Sequence, residues 1–489
     1  MIRRDFLKGT VATTVYYLLN NKGWSKNSIQ DKTNVVLIMS DEHNPLYSSV
    51  YGHPFVQTPN MERMAQDGVV FENAYCPSPL CLPSRSSFMS GLYPHEHQCY
   101  SNSTLLLDEF PGYGEMLSKQ GVYTTYIGKA DVYKNIEEMK FNEVILGWNR
   151  KKPGDTFISR KPLCIREESD KREKMWGPIP NAHKEDINVI DTAVNWLKQK
   201  GGVLTQPFFL AVNISVPHFP LYAPPALWEI YNGKGDLPRY GKEQPTAHHP
   251  YSVDLRRFFQ TDLYLTQNII GLRQGYYACV TFTDQLIGKI LDALEETKLK
   301  HHTVVIYTSD HGEMLGKFGL WWKCSLLEDA SRIPLIVMGP GFEKNRRVYA
   351  PVTLLDVQAT LFRTFSVERP SYWHGDPLQD IQYQEPNRFI FTEYHGHGIR
   401  GSSFMVRKGE WKLIWNSDAP HQLFNLAEDP NELNNLFHQE SNAPIIYWEL
   451  KDYLFSICDP RVETQRAETK ISKQLELIKS SYNQNFVKN

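Results

Sequence analysis

Cysteine pairs, long apolar runs and an excess of one charge are all missing from this chain, and each absence closes a class. The seven cysteines, Cys76, Cys81, Cys99, Cys164, Cys279, Cys324 and Cys458, include no C-x-x-C pair. A cysteine-built zinc site is therefore not expected. Past the N-terminus no run approaches the ~20 apolar residues of a membrane helix. Lys and Arg number 53 against 55 Asp and Glu, a formal net charge of −2. No basic field is offered to nucleic acid. Internal repeats and low-complexity tracts are also lacking.

What is there is an ordinary globular composition, 41% hydrophobic and 22% charged. A chain of 489 residues outgrows one compact core, so a large domain with a smaller one is expected. Residues 3–8, Arg-Arg-Asp-Phe-Leu-Lys, precede a short apolar stretch from Gly9 to Leu19. Residues 1–30 thus resemble a twin-arginine export signal, which implies a periplasmic or other extracytoplasmic location. Residues 20–30 hold no A-x-A site, which leaves room for an uncleaved anchor. In an exported chain an odd number of cysteines asks one of them for a special role.

Short β-branched runs read as buried strands: Asn34–Ser40, Val122–Ile127, Phe208–Ile214, Thr303–Ser309 and Pro334–Met338. Helical patterns lie between them, over Met61–Asp67, Tyr113–Gln120 and most clearly Gln274–Thr297. Strands alternating with helices predict an α/β fold with a doubly wound, mostly parallel central sheet flanked by helices. Residues 150–185 and 232–257 are polar and read as long surface loops, a kind usually functional or mobile. Near residue 366 the pattern changes. Arg388–Thr392, Phe404–Val406 and Trp411–Trp415 predict an antiparallel sheet, with a turn at Lys408-Gly409-Glu410. The expected division is 31–365 for a catalytic domain and 366–489 for a smaller C-terminal α+β subdomain ending in a helix.

Two strands run into acids: NVVLIMS into Asp41-Glu42, and TVVIYTS into Asp310-His311. Ligands of open α/β sheets bind beyond the carboxyl ends of the strands. Oxygen donors with one imidazole suit calcium first, then magnesium or manganese. The plain alternative is that each Asp caps a following helix. A third element is Cys81-Leu82-Pro83-Ser84-Arg85, with Gly91 beyond it. Pro83 suits a first helical turn. Cys81 then stands at a helix N-terminus that favours an anion, and Arg85 can fork onto a tetrahedral oxyanion.

Cys81-Leu82-Pro83-Ser84-Arg85 followed by Gly91 resembles the signature of the sulfatase family. Ser309–Gly316 with Gly319–Lys323, then Val216-Pro217-His218, and Glu410–Ile414 with Leu423–Leu426 resemble further family blocks. The nearest branch is that of choline-sulfatases and iduronate-sulfatase-like enzymes. The resemblance implies hydrolysis of a sulfate ester, with Cys81 converted to formylglycine by a maturation enzyme. The hydrated aldehyde would attack sulfur and then release sulfate by elimination. It implies metal ligation by Asp41, Glu42, Asp310, His311 and the residue at Cys81. Lys129 and Lys323 would bind sulfate, Arg85 would hold the nucleophile, and His218 would protonate the leaving alkoxide. Trp322 is a candidate substrate contact. The chain departs from the family at Lys129-Ala130-Asp131, where Lys-x-His is usual, so Asp131 is a candidate acceptor in sulfate release. A sulfated carbohydrate is the expected substrate. The alternatives are choline sulfate, a phosphonate monoester or phosphodiester, and a catalytically silent binder of sulfated ligands.

The export reading makes a direct prediction. Replacing Arg3 and Arg4 by Lys should hold the chain in the cytoplasm, as read by cell fractionation; unchanged export of the double variant would remove the reading.

Overall fold

A computed structural model describes residues 32–103, 109–133, 135–149, 160 and 163–486. The expected export signal, residues 1–30, lies outside the described residues. The main sheet takes, in chain order, β1 (Asn34–Asp41), β2 (Gly68–Phe71), β3 (Tyr123–Lys129), β4 (Glu143–Trp148), β5 (Phe208–Pro217), β6 (Thr303–Ser309), β7 (Leu335–Met338) and β8 (Arg346–Val348). Its spatial order is β8-β2-β7-β6-β1-β5-β3-β4. The run from β6 to β4 is parallel, while β7 is antiparallel to both β6 and β2.

The buried strands separate the core into two faces by simple alternation. Val36 and Ile38 of β1 join a cluster with Met61 of α1 (Pro59–Gln66), Ile190 of α3 (Lys184–Trp196) and Val280 of α5 (Thr266–Glu296). Val35, Leu37 and Met39 join another, with Phe88 of α2 (Cys81–Ser90) and Val357 of α6 (Leu354–Phe365). Helices therefore cover both faces, as a doubly wound α/β sheet requires. No described helix is long and apolar enough to cross a membrane.

Three expectations change. The segment 232–257 is not one long loop: its end enters α4 (Pro250–Phe259). Tyr251, Leu255, Phe258 and Phe259 recur at helical spacing and are buried, a pattern hidden among polar neighbours that have their own partners, such as Asp254 with Arg400 at 2.7 Å. Helix α5 starts at Thr266, eight residues before the apolar repeat begins at Gln274. Its early turns are fixed by polar contacts, among them Arg273 Nε donating to Asp236 at 2.8 Å, which hydrophobic periodicity does not register. Part of 150–185 lies outside the described residues; the rest is mostly at the surface, as expected, but is not one irregular loop, with a short strand at Trp176–Pro178 and a buried Arg172.

After residue 366 comes a separate antiparallel sheet of β9 (Phe389–Tyr394), β10 (Ser403–Lys408), β11 (Trp411–Asn416) and β12 (Gln422–Asn425). The pairing of Lys408 with Trp411 leaves Gly409-Glu410 as the two-residue turn, and Gly409 has φ +54°, the left-handed region such turns require. Helix α7 (Ile445–Ile457) packs Tyr447, Leu450 and Leu454 on one face of this sheet, and α8 (Pro460–Phe486) closes the chain. Lys412 of β11 is wholly buried and bridges Glu328 and Glu432, each at 2.8 Å. Burial would raise Glu328, but Lys412 and Arg407 outweigh it and hold its carboxyl at about 2.

Breaking that bridge leaves buried carboxylates without their cation. Lys412→Met should cost about 3–5 kcal/mol of stability, measured by urea unfolding. A change within about 0.5 kcal/mol, the size of a neutral surface substitution, would show that the bridge carries nothing.

Candidate active site

Register builds the site. On the parallel ladder Ser40 of β1 pairs with Ser309 of β6, so the next residues, Asp41 and Asp310, leave the sheet side by side. On the other flank Met39 pairs with Asn213 of β5, and a register shift then brings Pro217 opposite Asp41, which delivers His218. Gly128 of β3 also pairs with Asn213, so Lys129 ends its strand at the same level. Gly128 is required there: its φ is +97° and an added Cβ would stand 2.1 Å from the Asn213 carbonyl.

Helix α2 fills the floor. Cys81 is its first residue and Gly91 its left-handed C-cap, and all ten residues between Cys81 and Ser90 are buried. Asn102 Oδ1 accepts from the Leu82 N–H at 3.1 Å, satisfying one of the open donors of the first turn. One turn on, Arg85 Nε donates to Asp310 at 2.7 Å, and Nη1 donates to Asn213 at 3.2 Å. Burial opposes the charge on Arg85, but Asp310 and Asp41 outweigh it and hold the guanidinium firmly protonated.

The Cys81 sulfur faces Lys323 Nζ at 3.2 Å, His311 Nε2 at 3.4 Å and Asp41 Oδ1 at 3.9 Å. Lys129 contacts Asp41 directly and lies 3.7 Å from Asp131. Glu42 lies 3.2 Å from His218 Nε2 and 3.4 Å from Lys323 Nζ. His218 Nδ1 is 2.6 Å from the Phe219 carbonyl, which fixes the ring and turns Nε2 to Glu42. All the residues expected from the sequence are thus brought together. Of the Trp pair, Trp322 lines the cavity, whereas Trp321 is packed against Tyr264. The cavity measures about 350 Å³ and opens over Cys81.

Backbone strain concentrates here. Glu42, Asp131, Trp322 and Cys324 have φ of 66°, 51°, 69° and 77°, each costing about 1–3 kcal/mol outside glycine. Neither Asp41 nor Asp310 caps a helix; both carboxylates turn into the site, which removes the capping alternative. Among the described residues no disulfide forms.

The donors fit a divalent cation. Ligand atoms of Asp41, Cys81, Asp310 and His311 lie within 4.8 Å of one another, and Asp41, Glu42 and His218 form an overlapping group. Both oxygens of Glu42 are buried without a hydrogen bond, an arrangement that a metal satisfies. His311 Nδ1 is 3.0 Å from the Gly312 carbonyl, the outer contact that leaves Nε2 to coordinate. Burial pushes the Glu42 carboxyl up to about 7, although His218 and Lys323 pull the other way; a cation beside it would restore the carboxylate. Burial and Asp41 push the Cys81 thiol up, but Lys323, Lys129 and His311 outweigh them and leave it well below the usual thiol range.

Sequence reasoning missed Asn102, Asn213, Trp148, Arg166, Arg172 and His397. Asn213 carried a signal, a polar residue inside the apolar run FFLAVNI. Arg166 and Arg172 carried none, being lost among the charges of their segment.

A family model described as Sulfatase matches residues 33–367, and one described as N-sulphoglucosamine sulphohydrolase, C-terminal, matches residues 316–458. Arylsulfatase K of Gallus gallus is 30% identical over 435 residues, covering 83% of this chain and 79% of that protein. Choline-sulfatase of Rhizobium meliloti (strain 1021) is 28% identical over 433 residues, covering 83% of this chain and 82% of that protein. A protein solved in complex with its substrate D-glucosamine-2-N,6-O-disulfate superposes with a TM-score of 0.69 at 20% identity, covering 90% of this chain and 98% of that one.

The depressed thiol predicts a pH profile. In chain made with Cys81 unmodified and kept in chelator, a small methanethiosulfonate should still react at Cys81 as the pH falls from about 9 to about 6, because the thiolate persists below the ordinary thiol pKa. Lys323→Met should move that profile to higher pH, followed by peptide mass. A wild-type profile centred on the ordinary thiol value would contradict the electrostatics described.

Proposed function

The chain belongs to the sulfatase family and hydrolyses sulfuric esters, and from that premise we propose that it acts on a sulfated carbohydrate through a formylglycine made from Cys81 and one bound divalent cation, outside the cytoplasm. The observation that carries the mechanism is the position of Cys81 at the start of α2, within 3.2 Å of Lys323 and 3.4 Å of His311. The location rests on the Arg3-Arg4 segment alone.

A formylglycine at position 81 would supply a hydrated aldehyde as nucleophile and a route for sulfate to leave that a plain thiol lacks. A cation held by Asp41, Glu42, Asp310 and His311, calcium first among the candidates, would offset charge on the sulfate oxygens. The remaining work belongs to the chain's own side chains. Lys129 and Lys323, both nine-tenths or more buried, bind sulfate oxygens as concentrated positive charge at low dielectric. Arg85 orients the start of α2 by holding Asp310 and Asn213. His218, whose Nε2 lies 3.2 Å from Glu42, donates a proton from Nε2 to the leaving alkoxide. Asp131, which lines the same cavity, takes the place of the usual histidine and accepts the proton during sulfate release.

The carbohydrate assignment draws support from two sides. The same fold holds a disulfated glucosamine in one solved protein. Trp148, Phe219 and Trp322 line the cavity, and aromatic faces suit sugar rings. The choline-sulfatase relative supports a second reading, choline sulfate.

The test combines mass and turnover. After co-expression with a maturation enzyme, the peptide ending at Arg85 should carry an aldehyde in place of the thiol. Activity on an aryl sulfate should disappear with chelator and return with Ca2+, and should exceed activity on an aryl phosphodiester. Faster phosphodiester hydrolysis would overturn the sulfate assignment, and an unmodified thiol with full activity would overturn the formylglycine.

A further inference from the structure

Asp186 is a buried carboxylate beside the site that takes no part in the chemistry above. It stands in the first turn of α3 and is 5% exposed. A carboxylate so placed commonly turns back to an N–H of its own helix. Asp186 reaches across to β5 instead. Its Oδ1 accepts from the Ser215 N–H at 2.7 Å, and its Oδ2 accepts from the Val216 N–H at 3.0 Å.

Strand β5 leaves its ladders at this point. On the flank toward β1, Met39 faces Asn213 and Asp41 faces Pro217, so Ser40 stands alone against Ile214, Ser215 and Val216. On the flank toward β3, pairing ends at Gly128 and Asn213. An irregular strand end frees backbone N–H groups that need other acceptors. One side chain supplies two of them, and with both oxygens engaged it fixes the direction of the chain as well as its position.

The effect reaches His218 through the backbone. The His218 N–H donates to the Ser215 carbonyl at 3.0 Å, so Asp186 holds the N–H side of Ser215 and Ser215 holds His218. The ring is fixed from its other side, with Nδ1 2.6 Å from the Phe219 carbonyl and Nε2 3.2 Å from Glu42. Ser215 and His218 both line the cavity. A displacement of the bend is therefore passed to Nε2, and a misplacement of about 1 Å at a reacting group can cost roughly 10²-fold in rate.

We propose that Asp186 is a positioning residue for proton transfer to the leaving group, holding residues 215–217 so that Nε2 of His218 meets the leaving oxygen. This rests on the reading of His218 as the proton donor.

The experiment follows how rate depends on the leaving group. It measures kcat/KM of the matured enzyme on 4-nitrophenyl, 4-chlorophenyl and 4-methoxyphenyl sulfate, whose phenolates are progressively more basic and so need the proton progressively more. His218→Ala should lower the ratio of the 4-methoxyphenyl to the 4-nitrophenyl ester. Asp186→Asn keeps the volume but offers one acceptor to two N–H groups, and it should lower the same ratio about tenfold, part of the ~10²–10⁴ that a general acid contributes. Asp186→Asn combined with His218→Ala should have a ratio no lower than His218→Ala alone, because nothing is left to position. Asp186→Glu keeps the carboxylate, moves it by one methylene and gives the same readout should Asp186→Asn fail to fold. An equal loss on all three esters in the Asp186 variant, with His218→Ala changing the ratio, would overturn the proposal while leaving His218 as the donor. So would a further drop of the ratio in the double variant. An unchanged ratio in His218→Ala would remove the proton-donor reading and this inference with it. Absence of turnover on every ester by the matured wild type would sink the sulfatase reading as well.

Discussion

Asp41 and Asp310 leave neighbouring parallel strands at the same level, both fully buried, and the rest of the site is arranged around that concentration of negative charge. Like charges at low dielectric repel strongly. Lys129 and Arg85 face Asp41, and Arg85 also holds Asp310. His311 lies 3.5 and 3.6 Å from the two carboxylates. A divalent cation would complete this compensation, with oxygens and one imidazole as donors because the strands end in Asp-Glu and Asp-His. The nucleophile position inherits its electrostatics from the same arrangement: the lysines that offset the carboxylates also lower the thiol and stand ready for sulfate.

The C-terminal sheet matters to the site through the loops it braces. Thr392 and Glu393 of β9 bond the carbonyls of Cys76 and Pro77 at 2.8 and 3.0 Å, fixing the approach to Cys81. The Cys324 N–H reaches the Pro79 carbonyl at 3.1 Å, and the buried Lys412 bridge clamps Glu328 a few residues beyond Lys323. These contacts hold strained backbone at Trp322 and Cys324, whose conformations have no local reason to persist. Rigidity of this kind is what placement of a lysine beside a nucleophile demands.

Another stretch of the cavity wall comes from a different part of the chain. The described residues between β4 and α3 put Arg166 and Arg172 on the cavity wall. The groups around Cys81 thus sit on strand ends and one helix start, while Arg166 and Arg172 come from a connecting segment, the kind of place where binding residues are often carried.

Much of this was legible in one dimension. Cys81 to Arg85, the acids after β1 and β6, and the β-branched runs announced the reaction centre, because local patterns encode strands, helix starts and motif chemistry. The antiparallel β7 was not legible, since strand direction is a property of pairing. Helix α4 was hidden because its polar residues are buried with partners far away in sequence. Asn102 and Arg172 gave no local signal, as each acts through atoms brought close by folding. The sequence by itself determined which candidate groups the site can draw on, for their identities and short spacings are covalent facts. Only the tertiary structure decided that Asp41 meets Asp310 and that Arg172 stacks on Phe219 beside His218, because those meetings depend on strand register and on packing between segments that no local spacing specifies.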